Sequence, residues 1–304
     1  MLQIEREIIV SSAMERLKER LGTVHSRSGG VISVGRNIHR GDFVETLDFQ
    51  DVGNVSRRDP IVNTPIVSDE LNTRIRNNIK LYFKNDMVMR YTDLERYGTT
   101  MQQMNIRVGE SVGDSIAKFV LQRGITALYG AISSNANVVT TGALDHAGLI
   151  EGMFKFGDQT DDIRTLIAPS PVVSALTSGV VTTGDRVSYG AIYDGQTGTL
   201  GRNLWLIDSP ALLNPTQSVM GLTQGALTID ESEVVKFLDD LDLTLENAVV
   251  RFKVEGAYSL DVKGYSFNTA VGVNPDEILL GSSANWIQTA QYTQHTAGVL
   301  IKGM

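Results

Sequence analysis

The residues that could do chemistry in this chain do not have the spacing that a known kind of site requires. Asp158, Asp161 and Asp162 lie close together in GDQTDDIRTLIA. A calcium-binding EF-hand loop needs ligands at alternate positions, a glycine at the sixth position and a distal glutamate. The stretch lacks this pattern, so it predicts a capped turn before a strand and no metal site.

Histidine chemistry is equally unsupported, because His25, His39, His146 and His295 are scattered and no HExxH motif is present. The pair Asp145-His146 could orient an imidazole, but no GxSxG nucleophile elbow accompanies it. The pair predicts the start of a helix with a surface histidine. We therefore assign no catalytic residue, no metal ligand and no cofactor.

Two further stretches have a structural and a functional interpretation. The glycine-rich DGQTGTLGR is followed by a predicted strand, whereas a phosphate-binding loop needs a following helix, so a hairpin connection is expected. Residues 230–246 hold seven acids and one base, Lys236. This run, which includes the short acidic helix expected at 231–241, is either a solvated face or a surface that repels DNA or docks a basic partner segment.

Composition excludes several classes of protein. The 304 residues carry a formal net charge of −8, which argues against a dedicated nucleic-acid binder. Residues 1–100 hold 15 bases and 14 acids, and residues 203–304 hold 5 bases and 12 acids, so the excess acid lies near the C-terminus. The absence of cysteine excludes disulfides, and no apolar run is long enough to predict a transmembrane helix.

The N-terminal region predicts a helix followed by an extended arm. Residues 1–21 have an apolar stripe at helical spacing, and Gly22 is predicted to be the C-cap of this helix. Residues 22–40 show no period and predict an arm that packs on nothing. The stripe, which needs a partner surface, consists of Ile4, Ile8, Met14, Leu17 and Leu21.

A projecting loop is predicted next. Phe43, Leu47 and Phe49 share one parity in a short strand, and the following residues to 67 contain two prolines and the pair Arg57-Arg58. Residues 78–83 alternate again, and Asn85-Asp86 is expected to form a turn. The arm and the loop lack partners of their own, which indicates burial against a neighbouring subunit.

The strongest periodic signal lies between residues 99 and 133 and predicts one helix about 48 Å long. Gly109 and Gly113, on one face, either admit a close backbone or permit bending. Its apolar stripe consists of Met101, Met104, Val108, Val112, Ile116, Leu121, Ile125 and Leu128.

The remaining pattern is of short units, which predict a mixed α+β chain. Helices are expected at 144–154, 172–176 and 231–241. Strands are expected at 164–168, 186–193, 203–207, 248–254, 258–267 and 299–302.

Four stretches in this order resemble the tailed-phage major capsid proteins of the Hong Kong 97 fold. They are DLERYG with the long helix after it, FGDQTDDIRTLIAPSPVVSAL, GRNLWLIDSPAL and VNPDEILLGSSANWIQTAQYTQHTAGVLIKG. Each motif alone is weak, and their shared order over residues 40–304 carries the resemblance.

The resemblance implies an α+β fold with four parts: an N-terminal arm (1–40), an extended loop (41–67), a peripheral domain with a long spine helix (68–136 and 236–269) and an axial domain (137–235 and 270–304). The arm stripe, the loop residues Phe43, Leu47 and Phe49, and the pair Arg57-Arg58 then become candidate contacts between subunits. Some relatives crosslink through a loop lysine, but residues 41–79 contain no lysine, so that route is closed here.

The implied function is a non-enzymatic head shell, located in the virion and assembled in the bacterial cytoplasm. Its partners would be other copies in hexamers and pentamers, together with scaffold, portal and decoration proteins. DNA would be held by confinement and not by sequence-specific binding, and no membrane partner is expected. The N-terminal arginines remain candidate contacts for DNA or a scaffold. The alternatives are an encapsulin-like compartment with an enzyme cargo, and a hydrolase with a dispersed active site.

Overall fold

The computed structural model describes residues 6–49, 73–90, 101–183, 202–242 and 249–304. Short 3-10 turns connect some of the elements. The helices and strands in chain order are α1 (Arg6–Arg27), β1 (Ile32–Arg36), β2 (Phe43–Phe49), β3 (Thr73–Arg90), α2 (Met101–Ser133), β4 (Val139–Gly142), α3 (His146–Phe154), β5 (Ile163–Ala168), α4 (Ser170–Thr183), β6 (Asn203–Leu206), α5 (Pro210–Leu213), β7 (Ser218–Thr223), β8 (Leu227–Asp242), β9 (Val249–Val262), β10 (Tyr265–Phe267), α6 (Glu277–Gly281), β11 (Trp286–Gln288) and β12 (Gly298–Gly303).

The first sheet has the strand order β1-β8-β9-β3-β2 and contains the longest strands, of 14 to 18 residues. β9 pairs antiparallel with both β3 and β8, and β1 pairs parallel with the first five residues of β8. β2 and β3 form an antiparallel hairpin from Phe43↔Ile79 to Phe49↔Thr73. The hairpin therefore lies at one edge of this sheet.

The second sheet has the order β4-β12-β7-β5-β6, and β10 pairs with β11 in a separate ribbon. The long helix α2 contacts elements of both sheets and of the ribbon. Residues Gly124 to Leu128 of α2 are buried consecutively, so this half of the helix is enclosed on all sides. α2 thus joins the two sheets through one continuous core.

The N-terminal region differs from its prediction. α1 continues past Gly22 to Arg27, because the glycines that adopt the left-handed conformation are Gly29 (φ 63°) and Gly30 (φ 79°). The arm expected at 22–40 is also wrong as a segment that packs on nothing, because it contains β1. Ile32 in this strand is fully buried and pairs with Leu227.

The acidic helix expected at 231–241 is wrong, since these residues belong to strand β8. Irregular register at Glu231–Glu233 and Glu233–Lys236 interrupts the alternation, so Val234, Val235 and Phe237 imitate helical spacing. β-Branched and aromatic residues favour the strand when a partner strand is present, and β9 supplies one.

Two long strands run through positions where the sequence predicts a turn in one case and a break between two strands in the other. Asn85 and Asp86 pair with Val254 and Lys253 of β9, so β3 continues through the expected turn. The two strands expected at 248–254 and 258–267 are one strand, β9, followed by the short β10. In both cases, pairing with a long adjacent strand keeps the residues extended where the local sequence predicts an interruption.

Several elements are confirmed: the long helix, the strand beginning at Phe43, and the strands expected at 164–168, 203–207 and 299–302, within one or two residues. The helix expected at 172–176 is longer, as α4. The strand expected at 186–193 lies outside the described residues. The α+β class is confirmed, whereas the four-part division stays a prediction, and its boundary at 235/236 falls inside β8.

Candidate assembly surfaces

One face of the hairpin β2–β3 has an apolar pair at its root and another toward its far end, with the polar pair Glu45↔Asn77 between them. Phe43, Leu47, Ile75 and Ile79 share this face, because side chains two positions apart lie on the same side of a strand. Ile79 is fully buried and Phe43 packs against the core. Farther out, Leu47 is 61% exposed and the residue opposite it, Ile75, is 55% exposed. The outer apolar pair is therefore left uncovered by the described part of the chain.

The other face of the hairpin is anchored by Arg76. Its Nη2 lies 3.2 Å from Oδ2 of Asp261 in β9 and 3.5 Å from Oδ1 of Asp48 in β2, and its Nε donates to Thr46 Oγ1 at 3.3 Å. Thr289 donates to Asp48 Oδ2 at 3.3 Å. Burial raises the pKa of Asp261, although the charge of Arg76 opposes this shift. The hairpin is thus held from its root to its middle by charged and polar contacts on this face.

A buried lysine ties the hairpin to strand β8, on the far side of the intervening strand β9. The side chain of Lys80 is 1% exposed, and its Nζ donates to Glu233 Oε1 at 2.8 Å and to the Gly41 carbonyl at 3.3 Å. Desolvation opposes the charge, but Glu233 and Tyr82 together raise the pKa of Lys80 above its ordinary value. Removing either charge would leave its partner uncompensated, so this pair holds β3 and β8 together across β9 at the hairpin root.

The stripe of α1 lies mainly against its own chain, which corrects the expectation that it needs a second subunit. Leu17 and Leu21 are buried in the core at 3% and 6% exposure, and Met14 packs against the same core. Ile8 is half-buried. The fully buried Ile9, which the predicted stripe left out, contacts a smaller cluster with strand β9. Leu17 and Leu21 are therefore unavailable to a neighbour.

Two glycines of α2 explain why α1 fits so closely. A Cβ atom at Gly109 would lie 2.6 Å from the Ile9 carbonyl oxygen, and one at Gly113 would lie 2.6 Å from the Ala13 carbonyl oxygen. Of the two interpretations of these glycines, close approach is the one that the structure supports.

Charge reinforces the seam between α1 and α2. Asp114 of α2 accepts hydrogen bonds from Arg20 Nε at 2.6 Å and from Arg16 Nε at 3.0 Å. The bond from Arg20, followed by that from Arg16, lowers the pKa of Asp114. Arg36 lies 3.3 Å from Glu231. Several of the N-terminal arginines are thus paired within the chain.

The stripe of the long helix is mostly internal. Its buried or half-buried members contact both α1 and the first sheet. Those with exposures below 4% are Val112, Ile116, Ile125 and Leu128, and the half-buried ones are Met104, Val108 and Leu121.

The other predicted contact and helix residues lie outside the described residues or at the ends of described elements. Ile4, Arg57 and Arg58 lie outside the described residues. Phe49 ends strand β2, and Met101 begins α2.

The residues considered for chemistry have structural roles. Asp145 caps α3 by accepting the Gly148 N–H at 2.8 Å, as expected for a helix start. Asp161 accepts from Arg202 at 2.8 Å in the 3-10 turn that precedes β5. Among the residues that the structure describes, no group of three His, Cys, Asp or Glu side chains could hold a metal ion.

The sequence reasoning missed Arg76, Asp261, Lys80 and Ile75. Arg76 and Asp261 are far apart along the chain, so no local pattern joins them. Ile75 could have been found, because a hairpin pairs each residue of one strand with a residue of the other.

In the described ranges, none of the helices combines the length and apolar character needed to cross a bilayer. The fold is similar to that of known tailed-phage capsids. The capsid of Myoviridae phage XM1 is 12% identical, with a TM-score of 0.54, and the match covers 91% of this chain and 90% of that one. For the head of Helicobacter pylori bacteriophage KHP40 these values are 10%, 0.56, 90% and 87%, and for Microbacterium phage Oxtober96 they are 10%, 0.56, 91% and 90%. At these identities the likeness supports the Hong Kong 97-type fold alone.

No curated protein matches the chain. A family model does match, over residues 1–300, and its description is Gp13-like, major capsid protein 13-like. Since the match includes almost every residue, the chain belongs to the Gp13-like family of major capsid proteins.

Proposed function

We propose that this phage head-shell protein closes its shell through the hairpin β2–β3, whose outer apolar face lies over a neighbouring subunit. The observation that carries this proposal is the exposure of Leu47 and Ile75 on the face that is core at the hairpin root. The anchoring by Arg76 and Lys80 supports it, because a fixed root presents the face with little loss of freedom.

The energy required of each contact is small. Covering the exposed parts of Leu47 and Ile75 would contribute roughly 2 kcal/mol each at about 25 cal/mol per Å². Such a contact is weak alone, but closed assembly repeats it in every copy, so hexamers and pentamers can close into an icosahedral shell. Phe43 has a different role from Leu47, because it packs against its own core.

The chain acts by assembly and not by catalysis. Its net charge of −8 suits a wall that confines packaged DNA without adhering to it. The expected site of assembly is the bacterial cytoplasm, the final location is the virion, and scaffold, portal and decoration proteins are the expected partners. The encapsulin-like alternative shares the fold, but the family description favours a genome container.

The test is a pair of variants at one exposed position. Leu47→Asp places a charge on the outer face of the hairpin and should abolish closed shells, whereas Leu47→Met keeps the face apolar and should assemble. Electron microscopy and sedimentation velocity measure assembly, and thermal melting of the unassembled subunit checks that both variants fold. Normal shells from Leu47→Asp would contradict the proposal.

A further inference from the structure

A groove between α1, α2 and β6 combines cationic side chains with an apolar floor. Val24 of α1 lies in its wall. We call this groove the basic groove. The residues that define it are Arg20, Arg27, Lys118, Leu121, Trp205 and Leu206.

The charge of the groove is only partly neutralised within the chain. Arg20 shares the carboxylate of Asp114. Arg27 and Lys118 are exposed, and neither forms an ion pair with a carboxylate of the described residues. Leu206, on the floor, is 49% exposed. The protein has a net charge of −8, but this concave surface has two cations without an ion-pair partner among the described residues, and it also exposes apolar side chains. Its charge and apolar floor are therefore complementary to an acidic segment that carries its own apolar residue.

The chain itself contains such a segment at the far end of β8. Leu238 is 49% exposed, and the exposed Asp240 follows two positions later, so the two share one face of the strand. Asp239 adds a second acid, and Arg251 of β9 is the base opposite Asp240 in register. We call residues 238–242 the acidic end.

The groove and the acidic end of one chain are too far apart to meet. Ile9, near the start of α1, packs with Val250 and Phe252 of β9, which pair with the acidic end. The groove lies at the other end of α1, near Val24. Fifteen residues at about 1.5 Å each separate these points by about 22 Å. Contact between the two surfaces therefore requires two copies.

We propose that the basic groove of one subunit receives the acidic end of β8 from a second copy. Because the two surfaces differ, the contact is head-to-tail, the kind that closes rings when the rotation is right. The floor of leucine and tryptophan favours a peptide occupant over the phosphate backbone of DNA. This inference rests on the proposed function and adds a second contact to that of the hairpin.

The absence of cysteine in the chain allows a direct test. The double variant Leu206→Cys/Leu238→Cys places one thiol in the groove and one on the acidic end. Mild oxidation should link copies into a ladder of dimers and higher chains on a denaturing gel, because a disulfide needs Cα atoms within about 7 Å. The control Phe154→Cys/Leu238→Cys moves one thiol to another exposed apolar position, on α3, and should give no ladder. Equal ladders from both variants would overturn the proposal.

A charge swap gives the second readout. Arg27→Glu/Lys118→Glu and Asp240→Lys/Asp242→Lys should each raise the protein concentration needed for assembly about tenfold, as expected for two weak ion pairs. The chain with all four changes should return to the wild-type concentration. Lys155→Glu, an exposed cation on another surface, is the control for net charge.

The remaining outcomes separate this contact from the hairpin contact. If both tests fail while Leu47→Asp still blocks assembly, the groove contact is wrong and the proposed function stands. If the groove variant loses affinity for duplex DNA in a gel shift and the acidic-end variant assembles normally, the groove binds nucleic acid and the proposal is overturned. Thermal melting of each unassembled variant excludes unfolding as the cause.

Discussion

The seam between α1 and α2 and the hairpin β2–β3 both begin as apolar patterns that lack an obvious partner in the sequence, yet the structure treats them differently. The stripe of α1 is covered by its own chain, with Leu17 at 3% exposure. The outer face of the hairpin is uncovered by the described residues, with Leu47 at 61% exposure. An apolar pattern shows that a surface must be buried, and it does not show which chain buries it.

The physical difference lies in the surface opposite each pattern. α2 presents Gly109 and Gly113 to α1, and Asp114 between two arginines, so shape and charge both match. The outer hairpin extends beyond the sheet that covers its root, and its fixed anchor, Arg76, is on the opposite face. One surface stabilises the subunit, and the other is free to stabilise contacts between subunits.

The largest difference should follow from the same truncation in both regions. Leu17→Ala should lower the free energy of unfolding of the subunit by about 3 kcal/mol, because it leaves a cavity in the core. Leu47→Ala should change it by less than about 0.5 kcal/mol, because the side chain is mostly exposed.

Denaturant unfolding of the unassembled subunit measures both values, and the assembly concentration measured beside them should rise for Leu47→Ala. Equal losses of stability would remove the distinction between the two regions.

The sequence was sufficient where a pattern is long and local. The stripe of the long helix recurs over 33 residues, and the strand at Phe43 alternates cleanly, so both elements were predictable. The order of the four motifs also supplied the fold class, although none of them describes a contact.

Prediction failed where a distant partner decides. Residues 231–241 form a strand because β9 is beside them, and Asn85 forms no turn for the same reason. The pairing of Arg76 with Asp261 joins positions that no local pattern connects. For the proposed assembly surface, the outward position of Leu47 was predictable from alternation, whereas the internal roles of Leu17 and Phe43 depend on packing.

The glycines of the seam allow a sharper test of its closeness. Gly113→Ala should lower the free energy of unfolding by about 2 kcal/mol, because its methyl group would overlap the Ala13 carbonyl and force the helices apart. Gly22→Ala is the matched control, since a Cβ there meets no atom within 4 Å, and it should raise stability by about 0.5–1 kcal/mol through helix propensity.

Thermal and denaturant unfolding of the subunit give both signs. If Gly113→Ala is as stable as the wild type, the two helices are not held at the distance seen here, and the seam is looser than the comparison requires.

The smallest expected effect is a difference between the two regions in how their stability depends on pH. Hydrogen bonds from Arg20 and Arg16 lower the pKa of Asp114, so its contribution to the seam is present above the unfolded-state pKa and is lost as the pH falls through the folded-state pKa. Asp114 is 40% exposed, so solvent screening limits this contribution to less than about 1 kcal/mol. Asp261 at the hairpin root behaves oppositely, because burial raises its pKa and the folded state therefore favours its protonated form.

Amide hydrogen exchange of the unassembled subunit, corrected for the intrinsic pH dependence, measures the two regions separately. From pH 6 to pH 3, protection should fall in α1 more than in the β2–β3 root, and Asp114→Asn should lack this excess loss in α1 because its side chain cannot titrate. Asp208→Asn is the control, because the pKa of Asp208 is also lowered, by Ser170 at the start of α4 away from the seam. An excess loss in α1 that persists in Asp114→Asn would assign the pH sensitivity to another group and leave the seam to the apolar packing of α1 and the close fit at Gly109 and Gly113.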